Sequence, residues 1–171
     1  MRLPKVSPAL LAMALGGVSL ALLLGALGFE YVWNNLPPCE MCMWQRWPHY
    51  AAAVIGLGGG LIIWQGQGSR RAGLTVAEIA MVLMAISGLI GVYHAGVEWH
   101  VWAGPSACTG NAYRFTGTLD LTQRGPMCDV AAWRLFGISM AGYNAIISLG
   151  AAGLAALLLV QPKPKPATET P

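Results

Sequence analysis

Charge is what this chain has least of. Only 10% of its 171 residues are Asp, Glu, Lys or Arg, against about a quarter in a soluble domain. So few charges cannot cover a water-facing surface, which excludes an ordinary globular fold and makes the bilayer the solvent. Cysteine is scarce too: four residues in a chain of this length exclude a disulfide-stapled mini-protein. There is no C-x-x-C-H and no histidine pair with haem-ligand spacing. The net charge is only +3, and no basic stripe with interleaved aromatics exists, so a nucleic-acid partner is not expected.

What is abundant is apolar. Hydrophobic residues make up 56% of the chain, mean hydropathy is +0.55, and glycine occurs 22 times. Small residues let membrane helices approach closely. Four apolar runs are long enough to cross a hydrocarbon core, which takes roughly 20 helical residues. They lie at about Pro8 to Phe29, Met43 to Trp64, Leu74 to Tyr93 and Leu135 to Val160. The expected fold is therefore an all-α membrane protein, a bundle of four transmembrane helices forming one domain over residues 1–160. The connection from His94 to Arg134 is too long for a plain link, so a functional outer loop is expected between helices 3 and 4. The tail 161–171, alternating Pro with Lys, reads as disordered. A cleaved signal peptide is the rival reading of the first run, but signal cores span only about 7–15 residues, so a retained helix is expected.

Orientation follows from the positive-inside bias. Arg2, Lys5, Arg70, Arg71, Lys163 and Lys165 fall on one side of a four-span chain, which places that side and both termini in the cytoplasm. Arg46, Arg114, Arg124 and Arg134 fall on the other, mostly in the long loop. Trp33, Trp44, Trp47, Trp99 and Trp102 cluster at the outer ends of the spans, as interfacial anchors do.

Every cysteine then lies on the outer side, which in a bacterial inner membrane is oxidising and favours paired thiols. Cys39-Glu40-Met41-Cys42 is a C-x-x-C at the entrance of the second helix, a spacing used for redox disulfides and for metals. Cys108 and Cys128 lie in the long loop, and closing a loop of that size is worth on the order of 3 kcal/mol. Three chemistries fit these residues: a redox relay, two structural staples, or a zinc site of four thiolates. A C-x-x-C adds little constraint to a helix end, and zinc sites usually bring a second close pair, so the relay is favoured.

Arg46 follows Cys42 by four residues, so both share a helix face. A cation and a helix N-terminus there would favour a Cys42 thiolate, and an arginine at membrane depth points to function. The bland alternative is a snorkelling interfacial anchor. Pro48 loosens the helical argument, because proline can start or kink a helix. His94 and Glu98 share a face if the third helix extends that far, and could serve a proton-coupled step or an interfacial polar pair.

Pro38-Cys39-Glu40-Met41-Cys42 followed by Gln45-Arg46 resembles the entry motif of DsbB-type disulfide-bond formation proteins. The resemblance continues through Tyr93-His94-Ala95-Gly96-Val97-Glu98, Gly104-Pro105-Ser106-Ala107-Cys108, Cys128-Asp129 and Trp133 to Met140. It implies a quinone-linked protein-disulfide oxidoreductase that reoxidises a DsbA-like periplasmic dithiol oxidase. Cys39, Cys42, Cys108 and Cys128 are then the catalytic residues. The oxidase would attack at Cys108, Cys128 would attack at Cys39, and a Cys42 thiolate would meet ubiquinone or menaquinone near Arg46 and His94. One chain would suffice, with no second copy required. Departures are that Gln45 stands where some members have an acidic residue, and that His100 competes with His94 for the histidine position.

Overall fold

Each long helix begins on a side-chain cap. In the computed structural model, which describes residues 6–33, 37–109 and 127–160, Ser7 accepts from the Leu10 N–H at the start of α1 (Pro8–Gly28), with proline at its first position. Cys39 does the same for α2 (Glu40–Ala53), Ser69 for α4 (Arg70–Glu98) and Ser139 for α5 (Met140–Leu159). Such caps satisfy amide donors that the first turn leaves unpaired. A π-helical turn, Phe29–Trp33, extends α1, and a second, Val54–Gly59, joins α2 to the short α3 (Gly60–Trp64). Pro48 sits inside α2 without ending it. Two short strands, β1 (Arg134–Leu135) and β2 (Ile138–Ser139), pair as a hairpin just before α5. Phe136 and Gly137, at its tip, both have positive φ (51° and 81°), the backbone of a type I′ turn.

Helix α4 is the centre of the bundle and packs along α5, α2 and α1. The core between them is built largely from small residues: Ala12, Ala52, Ala77, Ala80, Ala152 and Ala155, with Leu11, Leu15 and Met84. The outward faces carry apolar residues as well; Leu24, Ile62, Leu89 and Leu157 are all more than half exposed. Apolar residues on both faces mark helices whose surroundings are not water. Among the described residues, three helical stretches are long and apolar enough to cross a membrane: Pro8–Trp33, Arg70–Glu98 and Met140–Leu159. The remaining expected run is helical from Glu40 through Trp64 but is not among them, because its first half carries Gln45, Arg46 and His49. Several boundaries differ from the sequence expectation: α2 starts at Glu40 and not at Met43, and α4 at Arg70 and not at Leu74. Helix α4 continues past Tyr93 to Glu98, and α5 starts at Met140 because the hairpin occupies Arg134–Ser139. The tail 161–171, the basic residues Arg2, Lys5, Lys163 and Lys165, and the loop residues Arg114, Asp120 and Arg124 lie outside the described residues.

The tightest crossing brings α1 against the π-turn of the second run. A Cβ on Gly56 would sit 2.7 Å from the Ala12 carbonyl oxygen and 2.9 Å from the Gly16 Cα, and backbone cannot yield as a side chain can. Gly56→Val is therefore expected to cost about 1–3 kcal/mol by overpacking, read as a lowered unfolding midpoint in lipid or detergent. An unchanged midpoint would show that the two segments separate freely.

Candidate functional site: two cysteine pairs over an apolar cavity

The cap of α2 is itself the first candidate side chain. Cys39 has extended backbone, and its Sγ accepts the Cys42 N–H at 3.2 Å. Because the helix starts at Glu40, Cys42 and Arg46 lie on one continuous stretch, one turn apart, despite Pro48. Cys108 and Cys128 form a disulfide with a Cα–Cα distance of 5.3 Å, while Cys39 and Cys42 are thiols. The Cys128 N–H donates to the Cys108 carbonyl at 2.7 Å. Cys39, Met41, Val97, Cys108 and Cys128 form one buried cluster, with Cys42 packed against it. Four cysteines spread over the sequence thus meet at one end of the bundle.

Both C-x-x-C thiols precede the apolar run that starts at Met43, and their environments push them apart. The hydrogen bond with Cys42 and burial raise the Cys39 thiol well above its ordinary range. The hydrogen bond from Cys39 lowers Cys42, with a further contribution from Arg46. Of the pair, Cys42 is therefore the readier to ionise and Cys39 the readier to keep its proton. In the reduced protein, alkylation of Cys42 should rise with pH and level off below the pH expected for an ordinary thiol. Cys39→Ala removes the main cause and should move that inflection upward. An inflection that stays put on mutation would contradict the assignment.

Arg46 does not stand alone. Its guanidinium donates to the Glu30 carboxylate at 2.6 Å, with the two side chains only 11% and 13% exposed. Glu30 was not a candidate from sequence; its place in the π-turn after α1 aims it back across the bundle. His94 is 3% exposed and lies 3.7 Å from the Cys39 Sγ through Nε2. Glu98 sits one turn further, its Oε1 3.8 Å from the same nitrogen. His100 instead lies exposed in the turn after α4, so His94 is the histidine at the cysteines.

Behind His94 runs a buried polar network that sequence reading missed. Gln45 Nε2 meets His94 Nδ1 at 2.7 Å, and the Asn144 side-chain amide donates to Gln45 Oε1 at 2.8 Å. His49 Nε2 lies 2.8 Å from Asn144 Oδ1, and His49 Nδ1 lies 3.2 Å from the Ser19 hydroxyl. Ser87 donates to the Gln45 carbonyl at 2.8 Å, and Ser148 to Asn144 Oδ1 at 2.9 Å. The only hint in the sequence was polar residues at helical spacing inside apolar runs.

A four-thiolate zinc site does not fit this arrangement, because Cys108 and Cys128 are bonded to each other. The ligand atoms of Cys39, Cys42 and His94 do lie within 4.8 Å of one another. A metal on His94 Nε2 would, however, put the ring proton on Nδ1, which must then find an acceptor. It faces the NH2 of Gln45 instead, a donor held in place by the Met41 carbonyl at 3.2 Å.

The site opens onto a cavity of about 710 Å³ lined by Cys39, Cys42, Arg46, His94, Phe29 and Trp133, among others. That size is within the range of small-molecule sites, roughly 300–1,000 Å³. Phe29 and Trp133 have ring centroids 4.9 Å apart, and Trp133 is near Tyr143 at 6.2 Å. An apolar, aromatic-walled cavity with a thiol and a guanidinium at one end suits a flat, lipid-soluble ring carrying carbonyl oxygens.

A helical membrane bundle with a disulfide and a C-x-x-C packed together at one end defines a thiol–disulfide protein of the membrane. Residues 8–158 match the family model "Disulfide bond formation protein DsbB", and the chain belongs to that family. The Disulfide bond formation protein B of Azoarcus sp. (strain BH72) is 29% identical over 137 residues, covering 75% of this chain and 78% of that protein. No solved structure matches the chain. It is a disulfide bond formation protein of the membrane, in the thiol–disulfide oxidoreductase class.

Proposed function

We propose that this chain reoxidises a DsbA-like thioredoxin-type dithiol oxidase and passes the electrons through its two cysteine pairs to a membrane quinone. The observation that carries the reading is the single buried cluster in which the loop disulfide packs on Cys39 and Cys42 beside the cavity. A partner thiolate attacks Cys108 and forms a mixed disulfide, and the Cys108–Cys128 bond breaks with its electron pair left on Cys128. The Cys128 thiolate attacks Cys39 Sγ in the oxidised C-x-x-C, and Cys42 leaves as a thiolate. Exchange of this kind needs an ionised attacker, a reachable sulfur and a leaving thiol of low pKa; the environment of Cys42 provides the last. A quinone, when bound, supplies a two-electron, two-proton acceptor. Cys42 and Arg46 would lie at its ring, with His94 and the aromatic walls around it.

Four spans, both termini in the cytoplasm and the cysteines on the periplasmic side of the inner membrane complete the reading. Residues 1–160 then form one domain with the long loop on its outer face, followed by the tail 161–171. Ubiquinone and menaquinone both match the cavity's chemistry. One chain carries all four cysteines, so a monomer suffices. The test is a trap: Cys128→Ser leaves Cys108 as a free thiol, which attacks the disulfide of the oxidised partner, so mixing the two should accumulate a Cys108-linked mixed disulfide visible on non-reducing gels. If Cys128→Ser turns over normally and no linked species appears, the loop pair is not the entry point.

A further inference from the structure

A chain of hydrogen bonds runs from the middle of the bundle to the Cys39 sulfur, and its donors all point one way. Two amides set the direction, because each is held by a backbone carbonyl that only an NH2 can face. Gln45 Nε2 meets the Met41 carbonyl at 3.2 Å, and Asn144 Nδ2 meets the Ser87 carbonyl at 3.2 Å. Gln45 therefore presents N–H to His94 Nδ1 and oxygen to Asn144, while Asn144 presents oxygen to His49 Nε2. A ring nitrogen facing an N–H must be bare, so the neutral His94 ring carries its proton on Nε2. The surroundings of Nε2 agree. They are the Cys39 Sγ at 3.7 Å and the Glu98 carboxylate at 3.8 Å, both able to accept. The same logic puts the His49 proton on Nε2 and leaves its Nδ1 to accept from Ser19.

We propose that Gln45, Asn144 and His49 are positioning residues that hold His94 as an Nε2–H donor to the Cys39 sulfur. Its role is to receive Cys39 as a hydrogen-bonded thiolate when the disulfide joining Cys39 to Cys128 is broken. This rests on the relay reading, in which that inter-pair disulfide forms. The step balances within the chain. A Cys108 thiolate, freed when the partner's second thiol resolves the mixed disulfide, attacks Cys128 Sγ. The Cys108–Cys128 bond forms, the Cys39–Cys128 bond breaks, and the electron pair stays on Cys39. No proton moves: the Cys42 N–H and the His94 Nε2–H both already point at that sulfur. Leaving thiols depart faster the better their thiolate is stabilised. His94 is thereby a donor at the site and not a base, since its free lone pair is turned away toward Gln45.

The test uses the full-length chain in lipid bilayers with 15N-labelled histidine. The His94 ring should show a protonated Nε2 and a bare Nδ1, a signature that a purely packing role for Gln45 would not set. Gln45→Leu should turn this into a mixture of tautomers. In a single turnover with a reduced partner dithiol, the Cys39–Cys128 species should then persist about tenfold longer, the effect of one lost hydrogen bond to a charged sulfur. Asn144→Leu, which frees the Gln45 amide, should act in the same direction if Gln45→Leu does not insert. A bare Nε2 in the unaltered chain overturns the proposal and leaves the relay intact. So does a shifted tautomer without any change in that lifetime. An unaltered chain that passes no electrons from the dithiol overturns the relay and this role with it, whatever the ring shows.

Discussion

Replacing Cys42 with serine should lower dithiol-to-quinone turnover by roughly three orders of magnitude or more, as losing an essential nucleophile does. The loss should come with a particular arrest. Cys108 and Cys128 remain able to exchange with the partner, so mixed disulfides through Cys108 should still form. Without a Cys42 sulfur there is no C-x-x-C disulfide to open and no thiolate at the cavity, so the electrons stop in the loop pair. Quench-and-gel analysis with thiol blocking reads both points. Cys42 is only partly buried at the edge of the cysteine cluster, so the change of sulfur to oxygen should leave folding intact. Full turnover by Cys42→Ser would sink the relay outright, and the cysteines would then be staples.

The second large effect is on stability. Glu30→Ala should destabilise the chain by about 3–5 kcal/mol, because it strands the Arg46 guanidinium in a buried site. Arg46 is 9% exposed, and its contact with Glu30 is 2.6 Å. The penalty is that of the orphaned charge and not the worth of the bridge. The double variant Glu30→Met with Arg46→Met should therefore regain most of the loss, although it also removes the cation beside Cys42. A double-mutant cycle by denaturant unfolding in detergent separates the two contributions. A cost for Glu30→Ala below about 1 kcal/mol would show a water-exposed surface pair instead.

Much of this architecture is legible in the sequence alone. A long uncharged run in a chain so poor in charge has few homes other than a bilayer, and the runs from Pro8, Leu74 and Leu135 reappear as α1, α4 and α5. The pairing of Cys42 with Arg46 on one helix face was legible as well, since i and i+4 share a face whatever the helix packs against. Pro48 was overrated as a breaker: it lacks one N–H, and the helix passes through it into a π-turn. The hairpin at Arg134–Ser139 was missed because Phe136 takes a left-handed backbone that bulky residues rarely adopt. Glu30, Gln45, His49 and Asn144 were hidden for a different reason. Each is a polar residue inside or at the end of an apolar run, and only cross-helix packing turns them into an ion pair with Arg46 and a hydrogen-bond chain.

The opening scarcity of charge and the C-x-x-C spacing are local properties, readable along the chain, and they suffice for membrane class and thiol chemistry. Which cysteine ionises more readily, which histidine lies beside the pair and which carboxylate meets Arg46 depend on residues as far apart as Glu30 and Asn144. Periodicity places a side chain on a face but does not say which face of which neighbour it meets. That is decided by close helix crossings such as Gly16 on Gly56, and by the need of every buried polar group for a partner in a bundle with no water to supply one.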